Sequence, residues 1–246
     1  MPQNQDLQAM CQRGQDDLVA TDYLAAERKL VEAERLAEAA GDFDTLSRLY
    51  MPLQEARRQR RHRCGEGVVR LDLLAVDAAD ELLAEHVLKH HPHGQLLVAG
   101  WASLAPSLAV RQLAWELGMY VETYLAAVYP VAGQRAVVVV PNAQVALPPA
   151  EVGSLERLQA MLPPHSLLFH ETELPAGPQP GTDETFARTM ALWEKLHAPF
   201  LAEADATPDP RRRLEAYRRT IEVDYACELA HQKLSHTAAE LARTGA

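Results

Sequence analysis

The chain has 246 residues, 48% of them hydrophobic, and a formal net charge of −10. That is enough apolar residue to bury a sizeable core, and an acidic surface repels phosphate backbones, which sets aside general nucleic-acid binding. Cys11, Cys64 and Cys227 are odd in number, far apart and in no Cys-x-x-Cys arrangement, so they suit a reducing compartment better than a disulfide framework or a zinc knuckle. The first twenty residues lack the basic and apolar regions of a secretory signal. The longest uncharged stretches, such as residues 96–110, contain Pro106 and fall short of the about 18–20 apolar residues of a spanning helix. A soluble, cytoplasmic protein is the expectation.

From about Asp17 to Arg63 the pattern is helical. Tyr23, Leu24, Ala26, Leu30, Val31, Ala33, Leu36 and Ala37 recur at steps of three and four, Gly41-Asp42 interrupts, and Phe43, Leu46, Leu49, Tyr50 and Leu53 resume the period. This predicts a helical hairpin, with a kink or break at Pro52, where a backbone donor is missing. From Val68 the period changes. VVRLDLLAV ends before Asp77, ADELLAEHVLKHH is amphipathic, QLLVAG is a short apolar run, and PSLAVRQLAWELG is helical with Gly118 as its stop. YVETYLAAVY and RAVVVV flank a turn too short for anything but an antiparallel hairpin. A helix from Ser154 to Met161 and the strand SLLFHE complete the region. Apolar strands alternating with helices predict an α/β core whose sheet is mainly parallel or mixed, with helices on both faces.

ELPAGPQPGTD, residues 173–183, has the composition of a linker. Helical patterns then run to the C-terminus, broken at Pro208-Asp-Pro210. The expected division is a helical segment over 1–64, the α/β core over 65–175 and a second helical segment over 176–246, with hairpins flanking the core.

Tyr217, Ile221, Asp224 and Leu234 in LEAYRRTIEVDYACELAHQKL, and Gly41-Asp42-Phe43 with Leu46, Tyr50 and Leu53 at the other end, fall at the spacings of tetratricopeptide repeats. Both terminal segments resemble that family. The resemblance implies paired helices that bind a protein or peptide, and it brings no catalytic residues.

RRQRRHR raises the question of an anion site. Of the 24 lysines and arginines all but Lys29, Lys89, Lys195 and Lys233 are arginine, so an arginine run is less informative here than elsewhere. At 100° per residue Arg57 and Arg60 continue the buried stripe of Leu46, Leu49, Tyr50 and Leu53, while Arg58, Arg61 and Arg63 point elsewhere. An unpaired buried charge is prohibitive, which predicts carboxylate partners from the helices around Glu203, Asp205, Glu222 and Glu228. The competing expectation is an anion-binding site at Arg57, Arg60 and Arg61.

His90, His91 and His93 form no set with a nearby Cys or carboxylate, and a solvated helix end accounts for them better than a metal. Cys227 and His231 share a helix face, but His231 stands where the resembling family has a core aromatic, which predicts a packed histidine. In open α/β sheets ligands bind beyond the carboxyl ends of parallel strands. Asp77, Gly100, Trp101, Ser103 and Asn142 are the candidates for such a cleft. Each also has a plain role, as a cap, packing residue or turn former. His170 and Glu171 form a conceivable acid–base pair near the sheet edge.

GxGxxG after a strand, GxxxxGK[ST], GxSxG and HExxH are all missing, and no cofactor or metal is expected. The function expected from this sequence is a non-enzymatic protein-interaction or assembly module, with a protein partner and neither nucleic acid nor membrane. The alternative is a small-molecule or nucleotide-binding α/β protein, even an enzyme, using the strand-end cleft.

Overall fold

A computed structural model describes residues 2–245. It is an α/β fold with a five-stranded mixed sheet flanked by helices. Two compact units divide the chain. One runs from His62 to Leu196 and holds the sheet, and the other combines everything up to Arg61 with everything from His197 onward.

The sheet unit contains β1 (Val68–Leu74), β2 (Gly94–Trp101), β3 (Val121–Val131), β4 (Gln134–Val140) and β5 (Leu167–His170), side by side in sequence order. The first three are parallel, and β4 and β5 turn back antiparallel. β2 is buried along nearly its whole length, as an uninterrupted apolar run demands when both faces are covered. On one face α4 (Ala84–His90) and α5 (Ala105–Glu116) share a cluster with Leu96, Val98 and Val121, and Leu158 of α6 (Leu155–Met161) joins Ala127 and Val138. The opposite face takes the first part of α7 (Asp183–Asp205). There Trp193 stacks on Tyr124 at 4.4 Å, and the Tyr124 hydroxyl donates to the Thr189 carbonyl at 2.8 Å.

Gln95 and Glu122, polar groups in the first turns of two central strands, are buried beside Thr189. The Thr189 hydroxyl donates to Gln95 Oε1 at 2.7 Å, and Gln95 Nε2 donates to Glu122 Oε2 at 2.7 Å. The Thr189 hydroxyl, the Gln95 amide and Glu122 Oε2 each gain a partner in this way, which removes most of the penalty of burying them.

Several local expectations need correction. The Pro/Gly-rich stretch is no boundary, because Gln179 and Val69 exchange two 2.9 Å backbone hydrogen bonds that tie it to β1. α4 starts only at Ala84, since Asp77 and Asp80 accept from the backbone N–H groups of Ala79 and Val76 at 2.8 Å and hold the preceding residues in turns. The helix ending before Gly118 and the β3–β4 hairpin form as expected.

The helical unit comprises α1 (Pro2–Val19), α2 (Tyr23–Ala40), most of α3 (Phe43–Gly65), the end of α7, α8 (Pro210–Val223) and α9 (Glu228–Thr244). Both ends of the chain build one core, in which Leu30, Leu46 and Leu53 cluster with Tyr217 and Leu234. α1 had no counterpart among the expected elements; of its described residues only Leu7 joins the buried core. α3 runs through Pro52 without a break. An interior proline costs about 3 kcal/mol, but Leu46, Leu49, Tyr50 and Leu53 are all buried on this helix, at about 1.5–3 kcal/mol for each large side chain. Packing outweighs the proline.

Candidate functional site

The arginine run closes on itself. Arg57 Nε and Arg60 Nη1 donate to the two oxygens of Glu27 on α2, at 3.2 and 3.0 Å. Arg57 Nη1 also lies 3.1 Å from His231 Nε2. The His231 Nδ1–H donates to the Cys227 carbonyl at 2.8 Å, which leaves Nε2 as the acceptor for Arg57. Arg61 pairs with Asp224 Oδ1 at 2.7 Å, and His197 Nδ1 sits 2.7 Å from the other oxygen. The guanidiniums of Arg60 and Arg61 lie over the Tyr225 ring, at 4.4 and 4.9 Å. By contrast, Arg58 and Arg63 make exposed pairs with Glu55 and Glu66 one helical turn away.

Pairing with carboxylates is therefore observed, but through Glu27 and Asp224 rather than the expected acidic residues. Asp205 instead accepts from the Tyr217 hydroxyl and pairs with Lys233, and Glu228 accepts from Gln54. Arg61, expected to face away from the core, is only 3% exposed. A single-stripe projection fails because α3 buries two faces, one toward α2 and one toward the α8–α9 turn. Arg57, Arg60 and Arg61 already hold carboxylates, so an added anion would have to displace them.

The titrating groups follow from this packing. Burial alone would raise Asp224, but Arg61 and His197 outweigh it and hold the carboxyl below the usual range. Burial opposes a charged His197, yet its hydrogen bonds to Asp224 and Cys227 prevail and hold it up at about 10. Burial, reinforced by Arg57, pushes His231 down to about 3. Cys227, His197 and Asp224 thus have the connectivity of a nucleophile, base and orienting acid. Cys227 is only 4% exposed and Asp224 is shared with Arg61, so the arrangement lacks the access such chemistry needs. Sequence reasoning passed over this grouping, since His197 lies far along the chain from Asp224.

The strand-end candidates separate. Ala75, just beyond β1, donates to the Ala99 carbonyl, which brings the loop carrying Asp77 to the end of β2 where Gly100, Trp101 and Ser103 lie. Asn142 is not there. Val140 pairs with Leu125, which pairs with Val98, so Asn142 lies beyond a point about 10 Å short of Trp101. The cause is the antiparallel turn of β4, whose carboxyl end faces the amino ends of the parallel strands. The cleft rule itself also lapses. It needs a strand order that reverses, whereas β1, β2 and β3 follow in sequence and their connecting helices α4 and α5 share one face.

Individual roles are local. Asp77 and Asn142 cap turns by accepting from Ala79 and Gln144. Ser103 Oγ accepts from the Ala105 N–H at 3.2 Å. Gly100 is required by packing, since a Cβ there would come within 2.7 Å of Pro106 Cδ. Trp101 is the last residue of β2, not a loop residue, and shares the sheet face of Gln95. Arg135, unnoticed in the sequence, reaches this end: it pairs with Glu171 and lies 3.5 Å from the Ala75 carbonyl. That takes Glu171 away from any pairing with His170, whose backbone N–H donates to Glu173 Oε2 at 2.6 Å. His90 Nδ1 meets the His86 carbonyl and His93 Nε2 the Arg63 carbonyl; among the described residues no group of three His, Cys, Asp or Glu is placed to hold a metal.

Another feature with room for a ligand lies at β5, an edge strand of the sheet. A cavity of about 490 Å³ runs beside it, lined by Gln159, Leu162, Pro163, Ser166, Leu167, Leu168, Phe169 and Lys195. That volume falls in the range of ligand clefts, about 300–1,000 Å³. The strand register sorts the lining. Leu167 opposes Val139, which opposes Ala126, on the face of Tyr124 and α7, whereas Leu168 opposes Val138 on the face of α6. The cavity therefore wraps around the strand and reaches both faces. Ser166 Oγ is shielded from solvent there without a hydrogen-bond partner among the described residues.

No helix among the described residues is long and apolar enough to cross a membrane. Compared with known protein families, curated proteins and solved structures, the chain matches none.

Proposed function

We propose that the protein is a non-enzymatic interaction module that works in the cytoplasm, binds a protein partner and has no role on nucleic acid. The observation that carries this reading is the cavity beside β5, where partly exposed apolar side chains line a strand that pairs with a neighbour on one side only. A sheet edge is a template for pairing with another chain, and proteins leave one accessible at a cost in aggregation risk. The paired charge on α3 also supports the reading, since those side chains serve the fold and leave recognition to other surfaces. The helical hairpins that resemble tetratricopeptide repeats agree with a binding role.

Affinity capture from the native cell with the tagged chain, alongside a Phe169→Glu variant shown to be folded by circular dichroism, tests it. A partner retained by the parent chain and lost by the variant is expected. A chain that stays monomeric and retains no partner contradicts the proposal.

A further inference from the structure

We infer that the β5 edge takes an extended peptide segment in which acidic and apolar residues alternate, added to the sheet as a further strand. This rests on the interaction reading and names the partner's chemistry. An added strand places successive side chains on opposite faces of the sheet. On the α7 face those side chains meet Lys195 beside Leu167 and Phe169, and on the α6 face they meet Leu162 and Leu168.

Charge selects the occupant. The lining holds one cation and no carboxylate, in a chain whose net charge is −10. Lys29 and Lys233 are paired with Asp17 and Asp205, whereas Lys195 makes no ion pair among the described residues. An acidic side chain on the α7 face answers Lys195, and an apolar one on the α6 face covers Leu162 and Leu168.

The test is fluorescence anisotropy of the full chain with a fluorescein-labelled octapeptide of alternating glutamate and leucine. A counterpart carries lysine for glutamate, and two further versions are N-methylated at alternate amides in opposite phases. Saturable binding is expected, weakened roughly five-fold by Lys195→Glu at low salt, with the lysine peptide preferring that variant. Methylation in one phase should abolish binding and in the other should leave it intact, because only every second amide faces β5. Absence of saturable binding, equal affinity for the parent and Lys195→Glu chains, or equal tolerance of both methylation phases overturns the inference. If affinity capture still yields a Phe169-dependent partner while the octapeptide fails, the peptide chemistry falls and the interaction reading stands.

Discussion

On α3, three arginines are drawn inward and matched by Glu27 and Asp224, whereas at the edge of β5 a single lysine stands among apolar side chains with no carboxylate in the lining. The first region is loud in sequence and closed in structure. The second is quiet in sequence and open. The difference follows from solvation: buried charges survive only with counterions close by, so a dense run inside a core draws carboxylates onto itself. A lone cation at a surface edge stays hydrated at little cost and is free to meet a partner. Charge density along a chain therefore does not locate a binding site.

The comparison breaks most visibly at Asp224. Asp224→Ala removes the buried carboxylate that Arg61 and His197 share, and denaturant unfolding should show a loss of about 3–5 kcal/mol. Retained stability would mean that Arg61 reaches solvent or another anion, and the closed network would be wrong. Next comes Gly100→Ala, expected to cost about 1–3 kcal/mol because the new methyl meets Pro106 and the Ser103 carbonyl. A ligand role for Gly100 predicts normal stability with altered binding instead.

The pH profile sharpens the contrast inside the network. His231 is held neutral, with its folded value near 3 and its ordinary value near 6.5, so it adds stability above pH 6.5 that is lost as pH falls toward 3. His197 is held charged up to about 10, so its contribution is complete below pH 6.5 and is lost as pH rises through 10. Thermal midpoints should thus peak near neutrality; His231→Gln should flatten the acid limb and His197→Gln the alkaline one. The smallest effect belongs to Arg58→Ala. Its pair with Glu55 is exposed, and the unfolding midpoint should report less than about 1 kcal/mol, although Arg58 sits in the same run as Arg61.

Much of the architecture was legible in the residues. Change of period separated helix from strand, Gly118 and the short connection after Val131 gave a helix stop and a hairpin, and the arginines called for carboxylates. What escaped was set by contacts distant in sequence. Glu27 and Glu34 interrupt the apolar stripe of α2, a visible sign of buried charge, but only the fold says that Glu27 faces Arg57. α1 escaped because few of its side chains are apolar enough to mark a stripe. Strand order, and with it the position of Asn142 and the place of β5 at the end of the sheet, depends on which strand packs beside which, and periodicity is silent on that.

Hydrogen–deuterium exchange of the intact chain, with and without the glutamate–leucine octapeptide, separates the two regions. Slowed exchange is expected only over residues 162–170 and the turn of α7 around Lys195, with the arginine segment of α3 unchanged. Protection centred on residues 57–63, with β5 exchanging as before, would contradict it and return the arginine run to the role of a binding site.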